Sequence, residues 1–241
     1  MTPMRGLIAL LCILCGPANA VICTDAGDFT VCAVDPATED LRLFHRDDNG
    51  AVYGSFSAVE ADVGPLSFAM NAGMYHEDRS PVGLYLEDGI QTMRLVTNAG
   101  PGNFGMLPNG VLCITENSAH VIETLRFEAE APNCTYATQS GPMLVVDGAL
   151  HPRFLRDSTS RNFRNGVGIG ADGTAYFSIS NHPVTFWEMG EFFRDVLRTQ
   201  NALYLDGRVS RLYAPQLGRT VNGVRMGPIV GVVAPEPMVD P

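Results

Sequence analysis

Four segments of the chain combine small residues with polar side chains at the ends of hydrophobic runs. They are residues 71–75 (NAGMY), 138–142 (TQSGP), 164–168 (RNGVG) and 201–207 (NALYLDG). Where hydrophobic strands end, side chains and backbone amides of this kind can converge on one ligand. Glycine lets a backbone amide approach that ligand closely, because no Cβ obstructs it. The four segments therefore predict a binding site built from several strand ends.

Charge is unevenly distributed along the chain. Residues 21–150 contain eighteen acidic residues and five Arg, whereas residues 151–241 contain eight acidic residues and ten Arg. Four of these arginines lie within twelve residues, namely Arg153, Arg156, Arg161 and Arg164. A guanidinium group binds phosphate or carboxylate oxygens in a bidentate way, so we expect the anion-binding part of the chain here. A solvated loop is the alternative interpretation of this cluster.

The overall composition excludes several classes of protein. The 241 residues are 46% hydrophobic and 17% charged, which predicts a sizeable core and not a disordered chain. Sixteen Arg and no Lys stand against twenty-six Asp and Glu, and the formal net charge is -10. Such a charge argues against non-specific binding to nucleic acid.

The first twenty residues have the pattern of a secretory signal peptide. Arg5 precedes an apolar run over residues 7–14, and Ala18, Asn19 and Ala20 form a cleavage site of the expected kind. The apolar run is much shorter than the roughly 20 residues that a membrane-spanning helix requires. We therefore expect a signal peptide over residues 1–20, one domain over 21–241, no membrane span, and a periplasmic or secreted location.

Four cysteines remain after the predicted cleavage, an even number in an oxidising compartment. They are Cys23, Cys32, Cys113 and Cys134. Three pairings are possible, and we favour bonds between the first two and between the last two, because each pair brackets a hairpin or a local excursion. A zinc site is the alternative, but residues 21–241 contain neither a C-x-x-C pair nor an H-E-x-x-H motif.

The elements that must position these residues are predominantly short strands. Nine runs of alternating apolar residues bounded by turn signals predict strands over residues 29–34, 41–45, 66–70, 82–86, 111–115, 143–146, 167–170, 175–179 and 202–205. Hairpins are predicted at the dipeptides 88–89, 109–110 and 172–173. Thr185 and Glu188 form a capping box that predicts one helix to about Thr199. The expected fold is a single α+β domain with a mixed, mostly antiparallel sheet, many hairpins and few helices.

Six pieces of the chain, in this order, resemble the phosphodiester glycosidase family, which includes the mammalian uncovering enzyme. They are residues 71–74 (NAGM), 81–84 (PVGL), 102–104 (GNF), 137–142 (ATQSGP), 164–168 (RNGVG) and 202–207 (ALYLDG). The resemblance covers about residues 65–232 and is greatest to a branch of secreted bacterial proteins. The uncovering enzyme's branch continues from Asp-Gly into further Gly and Ser, where this chain has Arg208, Val209 and Ser210. The sugar preference of that branch therefore does not carry over.

This resemblance implies an exported hydrolase that cleaves the C1–O bond of a sugar-1-phosphodiester, with a phosphorylated carbohydrate as substrate. Asp206 would be the catalytic carboxylate, which stabilises an oxocarbenium-like sugar or activates water, and Arg164 would hold the phosphodiester. The predicted substrate-binding residues are Asn71, Gly73, Tyr75, Ser140, Gly141 and Gly207. No cofactor is predicted, although Asp206 could ligate Ca²⁺ or Mg²⁺. The oligomeric state is left open.

Three alternatives accompany this interpretation. Glu77 or Asp78 could supply a second carboxylate. A serine hydrolase would use Ser140 with His151 or His182 and Asp206, but residues 138–142 lack the flanking glycines of a nucleophile elbow. The third alternative is a non-catalytic envelope protein that binds phosphorylated glycans through the same Arg and Asn side chains.

Overall fold

The computed structural model describes residues 21–207, 209–220 and 223–235, and the predicted signal peptide lies outside these ranges. The described residues form sixteen β-strands and three α-helices. The strands are β1 Ile22–Ala26, β2 Phe29–Val34, β3 Asp40–Phe44, β4 Leu66–Asn71, β5 Tyr85–Glu87, β6 Ile90–Met93, β7 Gly110–Ile114, β8 Ala119–Glu123, β9 Tyr136–Ser140, β10 Met143–Val146, β11 Ala149–Leu150, β12 Asn165–Ile169, β13 Ala175–Ser180, β14 Ala202–Asp206, β15 Leu212–Tyr213 and β16 Ile229–Val233. The helices are α1 Phe56–Val63, α2 Thr124–Glu130 and α3 Phe186–Glu191.

The strands form three sheets with antiparallel pairing. The seven-stranded sheet has the order β1-β2-β13-β12-β14-β10-β11, the four-stranded sheet β15-β4-β16-β3, and the five-stranded sheet β6-β5-β9-β7-β8. Eight of the nine predicted strands are found with each end within two residues of its predicted position, and the strand predicted over 82–86 is found at Tyr85–Glu87. The predicted α+β class, mostly antiparallel with hairpins and few helices, is confirmed, and the strands are divided among three sheets rather than one.

One central core joins the three sheets. Phe177 and Leu203 of the seven-stranded sheet, Phe68 of the four-stranded sheet, and Leu112 and Tyr136 of the five-stranded sheet all belong to it. The opposite faces are covered separately, because α3, α1 and α2 each pack on the outer face of one sheet, in that order. The ends of strands from all three sheets are thereby brought close together around the central core.

The hairpin predictions hold at two of the three dipeptides. Asp88 and Gly89 join β5 to β6 with φ angles of 49° and 75°, and residues 172–173 join β12 to β13. The prediction at Asn109 was wrong, because its buried amide donates to the Phe104 carbonyl and accepts from the Thr124 hydroxyl, and β7 begins at the next residue. A further hairpin, not predicted, joins β10 to β11 at residues 147–148.

The predicted helix begins as expected and ends differently. The capping box of Thr185 and Glu188 is present at the start of α3. From Phe192 to Val196 the helix widens to a π-helical turn, and the Leu197 amide donates to the Phe192 carbonyl. This turn buries both Phe192 and Phe193 against the seven-stranded sheet, which an uninterrupted 3.6-residue period over 185–199 does not anticipate.

Both favoured disulfides are present. Cys23 and Cys32 lie opposite each other on β1 and β2, and Cys113 on β7 is bonded to Cys134 before β9. Both bonds fit a protein that folds in an oxidising compartment. Within the described ranges, no helix is long and apolar enough to cross a membrane.

Candidate functional site

The ends of three strands meet at one place in the structure. Asn71 is the last residue of β4, Asn165 the first of β12, and Asp206 the last of β14. Asn165 lies opposite Asp206 in the sheet, and the register shifts by one residue directly after this pair. Such β-bulges occur next to functional sites, where they redirect a side chain. Three of the four predicted segments are thus brought together.

A buried pair of amide side chains fixes these strand ends relative to one another. The Asn165 Nδ2 donates to the Asn71 Oδ1 at 2.8 Å, and the Asn71 Nδ2 donates to the Asn165 Oδ1 at 3.3 Å. The backbone amide of Asp206 donates to the same Asn165 Oδ1 at 2.9 Å, and the Arg211 amide donates to the Asn71 Oδ1 at 2.8 Å. Both asparagines are fully buried. Asn71 therefore positions Asp206 through Asn165 and does not reach solvent.

A cleft of about 430 Å³ opens beside this pair. Its described lining residues are Tyr75, His76, Glu77, Arg79, Asp206, Val209 and Val224. Asp206 is 7% exposed, and its Oδ1 accepts a hydrogen bond from the Gly207 amide at 2.6 Å. The cleft thus offers two carboxylates, an imidazole, a phenol and a guanidinium, a set that can transfer protons and bind an anion. Of the predicted site residues, Tyr75 and Asp206 line it.

The loop after β4 forms one wall of the cleft and is tightly held. Gly73 has a φ of 127°, and a Cβ there would lie 3.0 Å from the Thr138 hydroxyl. The Tyr75 ring lies against Gly227, where a Cβ would come within 2.5 Å of a ring carbon. The positive φ and the contact with Thr138 therefore require glycine at residue 73. The position of the Tyr75 ring is fixed by its packing on Gly227.

The two acidic residues of this loop have different surroundings. Glu77 lines the cleft, so it can act together with Asp206. Asp78 accepts hydrogen bonds from the Ser80 hydroxyl at 2.6 Å and the Ser80 amide at 2.9 Å, and these bonds lower the pKa of its carboxyl group. Asp78 therefore closes a turn, and Glu77 is the candidate for a second carboxylate.

Ser140 and Gly141 lie behind the cleft. The Ser140 hydroxyl is fully buried and donates to the Leu205 carbonyl at 2.8 Å, and the Thr138 hydroxyl donates to the Ala72 carbonyl at 2.8 Å. A Cβ at Gly141 would lie 2.6 Å from the Cβ of Asn109. The structure thus places both residues among protein atoms, where Ser140 holds the backbone next to Asp206.

The surroundings of Ser140 also argue against a serine hydrolase. The His151 Nδ1 accepts from the Arg153 amide at 3.2 Å, and burial lowers the pKa of this imidazole. His182 is exposed, and its Nε2 pairs with Asp28 at 2.8 Å. Neither histidine contacts Ser140 in the part of the chain that the structure describes, so Ser140 has no base to activate it.

Replacing Ser140 by Ala provides a quantitative check of its role. We expect a loss of about 1–3 kcal/mol in the free energy of unfolding, because the Leu205 carbonyl would lose its buried partner. Turnover should remain within about tenfold of the wild-type value, whereas loss of a nucleophile costs about 10⁴-fold or more. Urea denaturation and steady-state kinetics on the same preparation measure both quantities. A variant of unchanged stability but abolished turnover would contradict the positioning role.

Arg164 also lies inside the protein, on the face covered by α3. Its Nε donates to the Val184 carbonyl at 2.9 Å, its Nη2 to the Ser160 carbonyl at 3.1 Å and its Nη1 to the Tyr204 hydroxyl at 3.4 Å. The guanidinium stacks 3.7 Å from the centre of the Phe186 ring, and the side chain is 1% exposed. The predicted phosphate ligand thus does not line the cleft, because its donors are directed at protein atoms.

Gly207 connects this buried arginine to the site. A Cβ at Gly207 would collide with the Tyr204 hydroxyl, the group that Arg164 contacts. Only glycine therefore fits after Asp206, and the Tyr204 hydroxyl occupies the space of the missing side chain. The contribution of Gly207 to the site is therefore its amide, which donates to the Asp206 carboxylate, and not an exposed backbone surface for a ligand.

Asn165 and Arg79 were missed as individual candidates. Asn165 belongs to the predicted segment 164–168 and lies at a strand end, and this position could have identified it as a candidate. Arg79 lies three residues before the segment 82–86, and only the folded loop brings it to the cleft. In the described ranges no group of three or more His, Cys, Asp or Glu residues could hold a metal ion.

Comparisons with known proteins identify the family of this chain. The family model for phosphodiester glycosidases matches residues 65–224. The uncharacterized protein YigE of Escherichia coli (strain K12) is 34% identical over 183 residues, which are 75% of this chain and 72% of YigE.

Two solved structures share the fold. One is the catalytic domain of zebrafish N-acetylglucosamine-1-phosphodiester alpha-N-acetylglucosaminidase, auto-inhibited by its pro-peptide, with a TM-score of 0.60, 13% identity, and coverage of 89% of this chain and 82% of that chain. The other is a hypothetical protein from Synechocystis, with a TM-score of 0.57, 12% identity, and coverage of 88% and 61%. Because the family model matches well over half of the sequence, the chain belongs to the phosphodiester glycosidase family.

Proposed function

We propose that this protein is an exported hydrolase that cleaves the C1–O bond of a sugar-1-phosphodiester, with Asp206 as its catalytic carboxylate. The observation that carries the proposal is the position of Asp206 at the cleft, with its backbone amide held by a buried asparagine pair. With its backbone held by Asn165 and its Oδ1 bound by the Gly207 amide, the carboxylate is preorganised toward charge that develops at an anomeric carbon. Family membership supports the reaction class.

The leaving group explains why the cleft needs no strong general acid. Cleavage of the C1–O bond releases a phosphate monoester, whose second pKa is about 6, so its oxygen departs without full protonation. The negative charge that develops on the leaving group must instead be balanced by a cation. The requirement is one well-placed carboxylate and a cationic contact to the phosphoryl group.

The two remaining roles, both at the sugar, are assigned to Asp206 and Glu77. Asp206 stabilises the oxocarbenium-like transition state or removes a proton from the attacking water, and Glu77 is available for the other role. Tyr75 supplies an aromatic wall whose position is fixed by Gly227. The two disulfides support export to an oxidising compartment such as the periplasm or the extracellular medium.

The experiment that tests the proposal is a hydrolysis screen of the purified mature protein. Aryl-linked and nucleotide-linked sugar-1-phosphodiesters serve as substrates, each with and without a chelator, and with neutral aryl glycosides of the same sugars for comparison. We expect turnover of at least one phosphodiester and none of the glycosides, whose leaving groups receive no help from a phosphate. Hydrolysis of neither class would contradict the proposed reaction.

The bond that is broken can be identified by isotope labelling. If water attacks the anomeric carbon, hydrolysis in ¹⁸O-labelled water places the label in the released sugar, and phosphate keeps its bridging oxygen. Mass spectrometry of both products measures this. We expect sugar labelling, because the described residues offer no paired metal site of the kind that supports attack at phosphorus. Label found only in the phosphate product would overturn the assignment of Asp206.

A further inference from the structure

Arg79 is the arginine that the described part of the cleft presents to a ligand. It lies on the same wall as Tyr75, and its guanidinium carbon is 5.3 Å from the centre of the Tyr75 ring. In the described ranges Arg79 forms no ion pair, whereas Arg42, Arg126, Arg161, Arg194 and Arg219 all contact carboxylates. The charge of Arg79 is therefore available to the cleft.

The backbone of Arg79 is held in an unusual conformation. Its φ is 73°, in the left-handed region that non-glycine residues seldom adopt. Two hydrogen bonds maintain it, because the Arg79 amide donates to the His76 carbonyl at 2.9 Å and the Arg79 carbonyl accepts from the His45 Nε2 at 2.9 Å. A strained arginine maintained at a cleft is consistent with a role of its side chain.

The electrostatics of the cleft require such a residue. The protein has a formal net charge of -10, and Asp206 and Glu77 both line the cleft. A phosphodiester is anionic, so these carboxylates would repel it unless a nearby cation compensated for them. Arg164 does not fill this role, because its donors bind two backbone carbonyls and a tyrosine hydroxyl inside the protein.

We propose that Arg79 binds the phosphoryl group of the substrate, with its guanidinium donating to the non-bridging oxygens. The proposal rests on the proposed function, since it assigns the anion-binding residue of the same site. It places the phosphoryl group beside the Tyr75 ring and the sugar toward Asp206. Specificity for an anionic substrate is then determined by the loop after β4 and not by the arginine cluster over residues 153–164.

The test compares three variants by two independent measurements. Arg79→Gln removes the charge, and Arg79→Gly also removes the strain at positive φ. Arg126→Gln is the control, because it removes an exposed arginine on α2, away from the cleft. Titration calorimetry with inorganic phosphate at low ionic strength measures binding without turnover. Steady-state kinetics on a phosphodiester found in the hydrolysis screen measure KM and kcat separately.

We expect both Arg79 variants to bind phosphate about tenfold or more weakly than wild type and to raise KM by a similar factor. Arg126→Gln should leave both values unchanged, and Arg79→Gly should unfold at the same temperature as wild type or a higher one. If the wild-type protein binds no phosphate, or if Arg79→Gln binds it within twofold, the assignment is overturned. If phosphate binding depends on Arg79 but no phosphodiester is hydrolysed, the proposed reaction is wrong and the assignment of Arg79 to an anion site is supported.

Discussion

Replacing Asp206 by Asn is expected to lower kcat by about 10³-fold or more, which corresponds to about 4 kcal/mol of transition-state stabilisation. An amide is neither a general base nor an anion, so neither of the two roles assigned to Asp206 survives the change. The fold should be retained, because the Asn Oδ1 can still accept from the Gly207 amide. The backbone contact to Asn165 does not involve the carboxylate.

The chain provides a matched control for this variant. Asp172 also precedes a glycine, but it lies in the exposed turn between β12 and β13, where its Oδ1 accepts from the Thr174 amide. Asp172→Asn should leave turnover and stability unchanged. Substrate affinity of Asp206→Asn, measured by calorimetry, should stay within about threefold of wild type. A non-catalytic glycan-binding protein would show no turnover in either form, and equal kcat values for Asp206→Asn and wild type would remove Asp206 from the mechanism.

Local patterns were sufficient to predict much of the secondary structure. The turns at residues 88–89 and 172–173, the capping box at Thr185, and both disulfides depend on residues close in sequence, so their chemistry is visible there. Helix α1 carried a signal of the same kind that was overlooked. Ser55 caps it, with the Ala58 amide donating to its hydroxyl, and Phe56 and Val59 are buried on one face.

The division into three sheets depends on pairing between distant segments. Strand β4 pairs with β15 and β16, which follow it by well over a hundred residues, and no local pattern specifies such partners. The site residues show the same limit. Tyr75 and Asp206 could be proposed as site residues because each lies at or next to the end of a predicted segment. The hydrogen bonds from Asn165 to Asn71, in contrast, exist only after two sheets have packed together.

The prediction from sequence and the structure differ most at Arg164, which is buried. A guanidinium beside three other arginines suggests an anion site when only sequence is considered. In the fold, Arg164 directly precedes β12, and its side chain lies against Phe186 of α3. The neighbouring Arg161 pairs with Glu188 at 2.7 Å at the surface. Burial lowers the pKa of Arg164, although Tyr204 opposes this shift. Its charge is balanced by carbonyl dipoles and by the aromatic ring of Phe186.

Replacing Arg164 by Lys is therefore expected mainly to destabilise the fold. An ammonium group lacks the planar fork, so it leaves at least one buried carbonyl without a donor, and it loses the stacking on Phe186. We expect a loss of about 2–4 kcal/mol in the free energy of unfolding, as for other broken buried networks. Since Tyr204 and Gly207 lie between Arg164 and Asp206, kcat should fall by about tenfold or more, whereas KM should stay within about threefold.

The exposed Arg156 provides the control, because Arg156→Lys makes the same exchange in the same cluster without a buried network. It should change neither stability nor kinetics. Urea denaturation of both variants, followed by kinetics at a temperature where each is folded, separates the two roles. If Arg164 held the phosphodiester, its replacement by Lys would raise KM strongly and leave the free energy of unfolding unchanged. That pattern for Arg164→Lys would return Arg164 to the binding site and remove the reason to assign the phosphoryl group to Arg79.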